Sequence, residues 1–558
     1  MLKLKKAMKV LMTEGAGVFL RKVWKKGCGY LDIWRAKKNV RGIHVITRKQ
    51  RNWQKQYAFK KNIKFSIITP LYNTPKRYLN ELIESLERQT YPNWELCLAD
   101  GSDADHSYVR KICHRWSRKD SRIVYKKLKE NRGISQNTNA CIKMSSGQYF
   151  GLLDHDDVLH ESALFEMMLQ ISKNDADFLY SDEAKFSGKV EDAVEFNFKP
   201  GFGKDELRSH NYICHFTVFS RELLKKVGKG FRPEFDGSQD HDMVLRLTEK
   251  VEKVVHIPKV LYYWRVHPES VSMNLDAKNY AVDAAIRAVQ EQLDRTGEAG
   301  TVESNLPYQT IYRNRYQILK KDNKIAVLIH GMDNMQEYDD YVAQMQNLTA
   351  YKNLTFIPII EDDKKNFGEA INHAARQCDT EYILVLNNAC VPLMAEWIEE
   401  MLMFAQRKDV AAVSPKILFK NNTIAYAGIA LDNDKENKIR YLCQGIPDTE
   451  QGYEAILRYA RNTTAVCREC FMIERSKWEC LKGFREDLCG YEEIDLSLRA
   501  IEQGYWNVWT CFASMQLTGN KLNEISKRDI VKFAKLWNNE LRRGDVFYHP
   551  CWKKIGLV

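Results

Sequence analysis

From Lys64 onward the apolar positions switch repeatedly between two spacings. Phe65-Ser-Ile-Ile68 is a short apolar run, after which Tyr78, Leu79, Leu82, Ile83 and Leu86 recur at helical intervals. Leu96-Cys97-Leu98 is a second run, closed by Asp100-Gly101-Ser102, and Ile123-Val124-Tyr125 is a third, with a helix predicted from about Ile134. The segment Gln148-Tyr149-Phe150-Gly151 leads through Leu152 and Leu153 into Asp154-His155-Asp156-Asp157, and a helical pattern resumes near Glu161. Strands alternating with helices in this way predict βαβ units and a mostly parallel sheet.

The pattern then repeats. Lys324-Ile-Ala-Val-Leu-Ile329 echoes Lys64 to Thr69, and Asn366-Phe-Gly368 echoes Asn131-Arg-Gly133. Tyr382 to Asn387 echoes Tyr149 to Asp154, and Glu492 to Arg499 echoes Gln239 to Arg246. The echoes keep their order and approximate separations, so two related α/β units are expected, over residues 63–300 and 323–520. Their join falls in the polar stretch 297–323. Residues 1–62 form a basic extension, and a helical tail, 521–558, includes a charged amphipathic segment from Lys527 to Arg543.

Composition narrows the classes. At 558 residues the chain exceeds one core, and 44% hydrophobic with 28% charged residues is ordinary for a water-soluble globular protein. No apolar run reaches the length that spans a bilayer. The fourteen cysteines lack framework spacing, which suits a reducing, cytoplasmic setting. Cys467 and Cys470 have half of a zinc spacing, but the partner pair Cys480 and Cys489 does not complete it. Charge is uneven: residues 1–64 hold 19 Lys and Arg against Glu14 and Asp32, although the whole chain is only +12. Leu4, Met8, Leu11 and Met12 share one helical face there, with Lys5, Lys6 and Lys9 elsewhere. That arrangement fits a helix on the anionic inner face of a cell membrane, with a solvated basic tail as the alternative. Nucleic-acid binding lacks any recognised module.

Candidate chemistry concentrates at 154–157. Three carboxylates, Asp154, Asp156 and Asp157, follow a buried strand, and ligands bind at the carboxyl ends of strands in open α/β sheets. Carboxylates crowded together repel unless a cation lies between them. Mg²⁺ is commonly held by one or two carboxylates plus substrate phosphates. The plain alternative is an acidic turn in which Asp157 caps a helix.

With these residues in view, the chain resembles the family 2 glycosyltransferases of the GT-A fold, the nucleotide-diphospho-sugar transferases, and particularly those building bacterial surface polysaccharides. The resemblance rests on Phe65 to Asn73, Asp100-Gly-Ser102, Asn131-Arg-Gly133 with Asn139, Leu153 to Asp157, Gly237 to Asp242, and Leu261 to Ser270. Gly544-Asp-Val-Phe-Tyr-His-Pro550 is similar to a tail segment common in these proteins. It implies two tandem Rossmann-like GT-A units, and an inverting, metal-dependent transfer from a UDP- or dTDP-sugar to a glycan or lipid-linked glycan. Asp156 would hold Mn²⁺ or Mg²⁺ with His267, His256 being second choice. Asp154 would contact ribose or support the metal, and Arg265 would lie near the diphosphate. Thr69, Pro70, Tyr72, Asp100, Arg132, Gly133 and Asn139 would line the nucleotide pocket, although Ala99 departs from the commoner Asp-Asp-Gly-Ser.

A sugar hydroxyl needs a positioned base, and the resemblance puts that role on Asp240. The rival readings are a helix cap, or a metal motif formed by Asp240-His241-Asp242. Asp242 would orient the helix or bind acceptor. In the second repeat, Asn387-Asn388-Ala389-Cys390 stands over Asp154 to Asp157, Glu493 replaces Asp240, and no histidine occurs from Trp509 to Gly519. A non-catalytic second unit is expected. The alternatives are a polymerase with both repeats active, or a sugar-binding assembly protein without catalysis.

Overall fold

The computed structural model describes residues 45–193, 195–267, 279–359, 366–519, 522 and 529–555. The apolar face expected over Leu4 to Met12 and residues 268–270 of the late motif lie outside them.

The first half forms a nine-stranded sheet. Its strands are β1 (Phe65–Leu71), β2 (Trp94–Asp100), β3 (Ile123–Lys127), β4 (Tyr149–Leu152), β5 (Val158–Leu159), β6 (Phe178–Phe186), β7 (Glu195–Asn197), β8 (Thr217–Ser220) and β9 (Val254–Arg265). They run in the order β3-β2-β1-β4-β8-β6-β9-β5, with β7 on β6. The expectation of a mostly parallel sheet holds only in part, since parallel pairs β1–β2, β1–β4, β2–β3 and β6–β9 are separated by an antiparallel strand. β1 pairs in parallel with β2 and β4, but β8 is antiparallel to both β4 and β6, so the sheet is mixed. Successive side chains of a strand face opposite layers. Phe65, Ile67 and Leu71 accordingly pack with the helices Lys76–Glu87 and Ala163–Asn174, while Ile68 packs with Phe150 and Met243 on the other side. Gly151 is needed in β4: a Cβ there would lie 3.0 Å from both Ile67 Cδ1 and Phe216 Cε2.

The second half has its own nine-stranded sheet. Its main path is Leu354–Pro358, Ile325–His330, Tyr382–Asn387, Cys470–Glu474, Val410–Leu418, Trp506–Leu517, Cys390–Pro392. Strand for strand this is the order β2-β1-β4-β8-β6-β9-β5, with the same parallel and antiparallel pairings. The join is a hairpin, Gly300–Asn305 with Tyr308–Tyr316.

Two terminal pieces are docked on this body. The helix Arg48–Gln56 begins with a capping box between Thr47 and Gln50, and its buried Gln54 accepts hydrogen bonds from Thr90 and Ser162. The tail breaks into Ile530–Leu536, Asn538–Arg543 and Pro550–Ile555, so the expected single helix is interrupted. The interruption falls at Trp537, whose indole donates to Asp495 at 3.1 Å.

Candidate active site

β4 ends at Leu152, and the turn that follows delivers the acidic cluster beside the end of β9. Asp157 is 1% exposed; it accepts from the Tyr262 hydroxyl at 2.5 Å and from the Arg265 N–H at 2.7 Å. Burial and the charges of Asp156 and Asp154 push its carboxyl well above the usual range. Asp157 is thereby a structural anchor rather than a free ligand. Burial also raises Asp154, against the pull of His215. Asp156 and His267 are brought together, with Oδ2 and Nε2 2.9 Å apart. This donor set could hold a hard divalent ion, with open positions for phosphate oxygens: one carboxylate and one imidazole converge, and two raised carboxyls nearby would gain from a cation.

Arg265 is held within the protein. It is 2% exposed, pairs with Glu81 at 2.7 Å, donates to the Asp156 carbonyl at 2.6 Å, and lies against the rings of Tyr78 and Phe186. The guanidinium fixes the turn that carries Asp156, with Glu81 as its counter-charge.

Asp240 lies in the first turn of the helix Gln239–Thr248 and accepts from Asn211 at 3.0 Å. Its charge adds to the rise at Asp154, so the two carboxylates share one electrostatic neighbourhood. The rival metal motif does not form. His241 is fully buried with Nε2 2.8 Å from the Leu207 carbonyl, and Asp242 is locked between Arg232 and Arg246. Asp242 orients the helix.

Of the residues expected to line a nucleotide pocket, Thr69, Pro70, Tyr72 and Asp100 lie at the carboxyl ends of β1 and β2, and Arg132, Gly133 and Asn139 lie after β3 and on the helix that follows. Thr69 is buried with no hydrogen-bond partner for its hydroxyl, Pro70 is half-buried, and Tyr72 is exposed. Asp100 is 1% exposed and bonded to the Ser102 N–H and the Tyr125 hydroxyl, each at 2.8 Å. Arg132 is exposed and pairs with Glu130, and Gly133 adopts φ +88° ahead of the helix Ile134–Met144. Asn139 is engaged elsewhere: its amide donates to the Phe231 carbonyl at 2.7 Å and accepts the Phe231 N–H at 2.9 Å. One donor and one acceptor of its side chain are taken by backbone, so it holds the chain ahead of Asp240.

Two groups escaped the sequence reading. His215 lies between Glu183 and Asp154; burial pulls its pKa down, but the Glu183 carboxylate raises it to about 9. The second group is Asp182, His256 and His549, whose donor atoms lie within 4.8 Å of one another. Both imidazole Nε2 atoms are 2.8 Å from Asp182 oxygens. His256 is therefore not at the acidic cluster. The Cys551 N–H donates to His549 Nδ1 at 3.0 Å, which fixes the proton of the neutral ring on Nε2. A metal-bound imidazole needs the opposite tautomer, so this group is a hydrogen-bonded latch. Cys467 donates to Glu469, while Cys480 is exposed; no zinc set forms from these thiols.

In the second half, Asn387 accepts from its own loop at Ala389 N (2.8 Å), and Glu493 is 2% exposed beside Arg468. Burial pushes the Glu493 carboxyl up to about 8, and its Oε2 has no hydrogen-bond partner.

Residues 66–228 match the family model described as glycosyl transferase family 2. An uncharacterized protein of Sinorhizobium fredii, y4gI, is 32% identical over 483 residues, covering 81% of this chain and 52% of that protein. The O-antigen biosynthesis protein RfbC of Myxococcus xanthus is 28% identical over 522 residues, covering 87% and 40%. Hyaluronan synthase of Pasteurella multocida is 24% identical over 324 residues, covering 54% and 32%. The chain thus spans about half or less of the length of these curated relatives.

Proposed function

Since this chain belongs to glycosyl transferase family 2, of the bacterial surface-polysaccharide type, we propose that its first half moves a sugar from a nucleotide-diphosphate donor to a glycan acceptor with inversion. The reading is supported above all by the meeting of Asp156 and His267 at 2.9 Å beside two raised carboxyls, in the same neighbourhood as Asp240. Asp156 and His267 would hold Mn²⁺ or Mg²⁺, which would neutralise charge gathering on the departing diphosphate. Asp154 faces the ribose side of the donor. Asp240 takes the proton from the acceptor hydroxyl as that oxygen attacks the anomeric carbon and the C–O bond to phosphate breaks. A single displacement from the face opposite the leaving group inverts the anomeric centre.

In this proposal the two sheets are tandem GT-A-like units, and the second is a scaffold for acceptor glycan. Asn387 and Ala389 stand where Asp154 and Asp156 stand in the first, and Glu493 is buried and protonated at neutral pH. Residues 1–62 would bring the enzyme to an anionic membrane surface and so to a lipid-linked acceptor. Among the described residues no helix is long and apolar enough to cross a membrane.

The test is sugar transfer and donor hydrolysis, with products followed by mass spectrometry across UDP- and dTDP-sugars. We expect Asp156→Ala and Asp240→Asn each to lose about a hundredfold or more, and Glu493→Gln to leave every product linkage in place. Full activity in both first-half variants would sink the assignment; loss of one linkage in Glu493→Gln would establish two working sites.

A further inference from the structure

His215 has no part in the reaction as proposed, yet an expensive set of buried groups is assembled around it. Its ring stacks on Tyr262 with centroids 5.0 Å apart and planes 13° from parallel, and Tyr262 in turn donates to Asp157. Nε2 is 3.5 Å from Asp154 Oδ2. On the opposite side, Nδ1 is 3.3 Å from Glu183 Oε2, and the His215 backbone N–H donates to the same oxygen at 2.6 Å. Glu183 is 2% exposed and pairs at 3.0 Å with Lys199, which is 1% exposed. The Lys199 ammonium also donates to the carbonyls of Ile213 and His215. Burying a carboxylate and an ammonium costs several kcal/mol per ion before pairing offsets it. The result is a bracket, Lys199–Glu183–His215, whose free end meets Asp154.

The second half lacks the imidazole, the buried anion and the carboxylate that the bracket meets, at positions matched by counting from paired strand residues rather than by sequence similarity. Gly151 pairs with Val218 in the first sheet, and Leu384 with Met472 in the second. Counting three residues along each strand matches Asp154 with Asn387 and His215 with Glu469. Leu179 pairs with Val218, and Val413 with Met472, so Glu183, four residues on, matches Ile417. Where the carboxylate at 154 becomes an amide, the imidazole becomes a carboxylate and the buried anion becomes a buried isoleucine. By contrast, other buried polar devices occur in both halves. Asp242–Arg246 has its counterpart in Asp495–Arg499, and each arginine also donates to two backbone carbonyls. Common scaffolding is therefore kept in both, and the bracket accompanies the acidic cluster.

We propose that His215 is a positioning residue of the donor site, holding the Asp154 carboxylate in one rotamer with Glu183 and Lys199 as its support. It acts through Asp154 and touches neither sugar nor metal. The inference rests on the reading that Asp154 faces the donor.

The experiment is calorimetric titration of the full chain with UDP and with dTDP in the presence of MnCl₂, alongside thermal unfolding. His215→Phe keeps the ring on Tyr262 but removes both nitrogens, and His215→Gln restores a donor toward Asp154. We expect the phenylalanine variant to weaken nucleotide binding about tenfold, as loss of a supporting polar contact does in comparable sites. Its unfolding midpoint should stay near that of the wild type, and the glutamine variant should recover most of the affinity. Wild-type affinity in His215→Phe overturns the proposal alone, as does equal weakening in both variants in step with a fall in unfolding midpoint. A wild-type chain that binds neither nucleotide overturns the donor-site reading and this inference with it.

Discussion

Glu493 and Asp240 open equivalent helices, yet one methylene and a different neighbourhood give them opposite characters. Asp240 is partly open and held by one amide, whereas Glu493 is enclosed, with one carboxylate oxygen lacking a partner. Burial raises Glu493 from its ordinary 4.5 to about 8, against the pull of Arg468. The folded protein therefore keeps a proton between those pH values that the unfolded chain has released. Stability must fall as pH rises across that window, by an amount on the order of 5 kcal/mol. Glutamine has the same shape and no proton to lose. We expect Glu493→Gln to match the wild type near pH 5 and to unfold at a clearly higher temperature at pH 9, as followed by circular dichroism. A difference that does not change with pH would contradict the buried acid.

At the scale of elements, duplication separates scaffold from chemistry. Asn139 bonds both backbone groups of Phe231; Asn372, on the matching helix Phe367–Gln377, does the same to Phe484, with both bonds at 2.9 Å. The preceding glycines leave room for this: a Cβ on Gly230 or Gly483 would lie 2.3 or 2.4 Å from the asparagine oxygen. An identical clasp in the half without the acidic cluster marks Asn139 as structural. We expect Asn139→Ala to cost about 1–3 kcal/mol, as removal of a buried hydrogen-bond partner does, and Asn372→Ala to cost a similar amount. Neither should change UDP affinity in the folded protein; a selective loss of affinity in Asn139→Ala would return it to the nucleotide pocket. The clasp also bounds what the sequence could convey. The apolar runs of β1, β2 and β4 and the acidic turn were legible because strand periodicity and turn chemistry are local. Four-residue β8 was not, and its insertion makes the sheet mixed. His215 was hidden for the same reason, since its partners Asp154 and Glu183 reach it only through that strand. The pairing of Arg265 with Glu81 was hidden as well, because Glu81 lies on a helix 184 residues earlier.

Across the whole molecule, the two halves are not separable bodies. One apolar cluster contains Val158, Phe186, Phe198 and Tyr263 from the first half together with Trp397, Phe404, Tyr426 and Trp509 from the second. Arg407, 4% exposed at its side chain, pairs with Asp205 and, at 3.2 Å, with Glu298; Lys204 crosses to Asp409 at 2.7 Å. The tail crosses back, with His549 on Asp182 and the Trp552 indole donating to the Phe198 carbonyl at 2.8 Å. Asp182 directly precedes Glu183, so the tail presses on the strand that supports His215. A shared core with buried ion pairs across it should unfold cooperatively. We expect scanning calorimetry of the full chain to give one transition at neutral pH. Arg407→Leu should lower that transition as a whole, because truncating one partner of a buried pair leaves uncompensated charge worth about 3–5 kcal/mol. Two resolved transitions in the wild type would break this argument. So would a variant in which one half melts early while tryptophan fluorescence of the other is unchanged, since the second half could then serve as a detachable module rather than as part of the frame that holds the site.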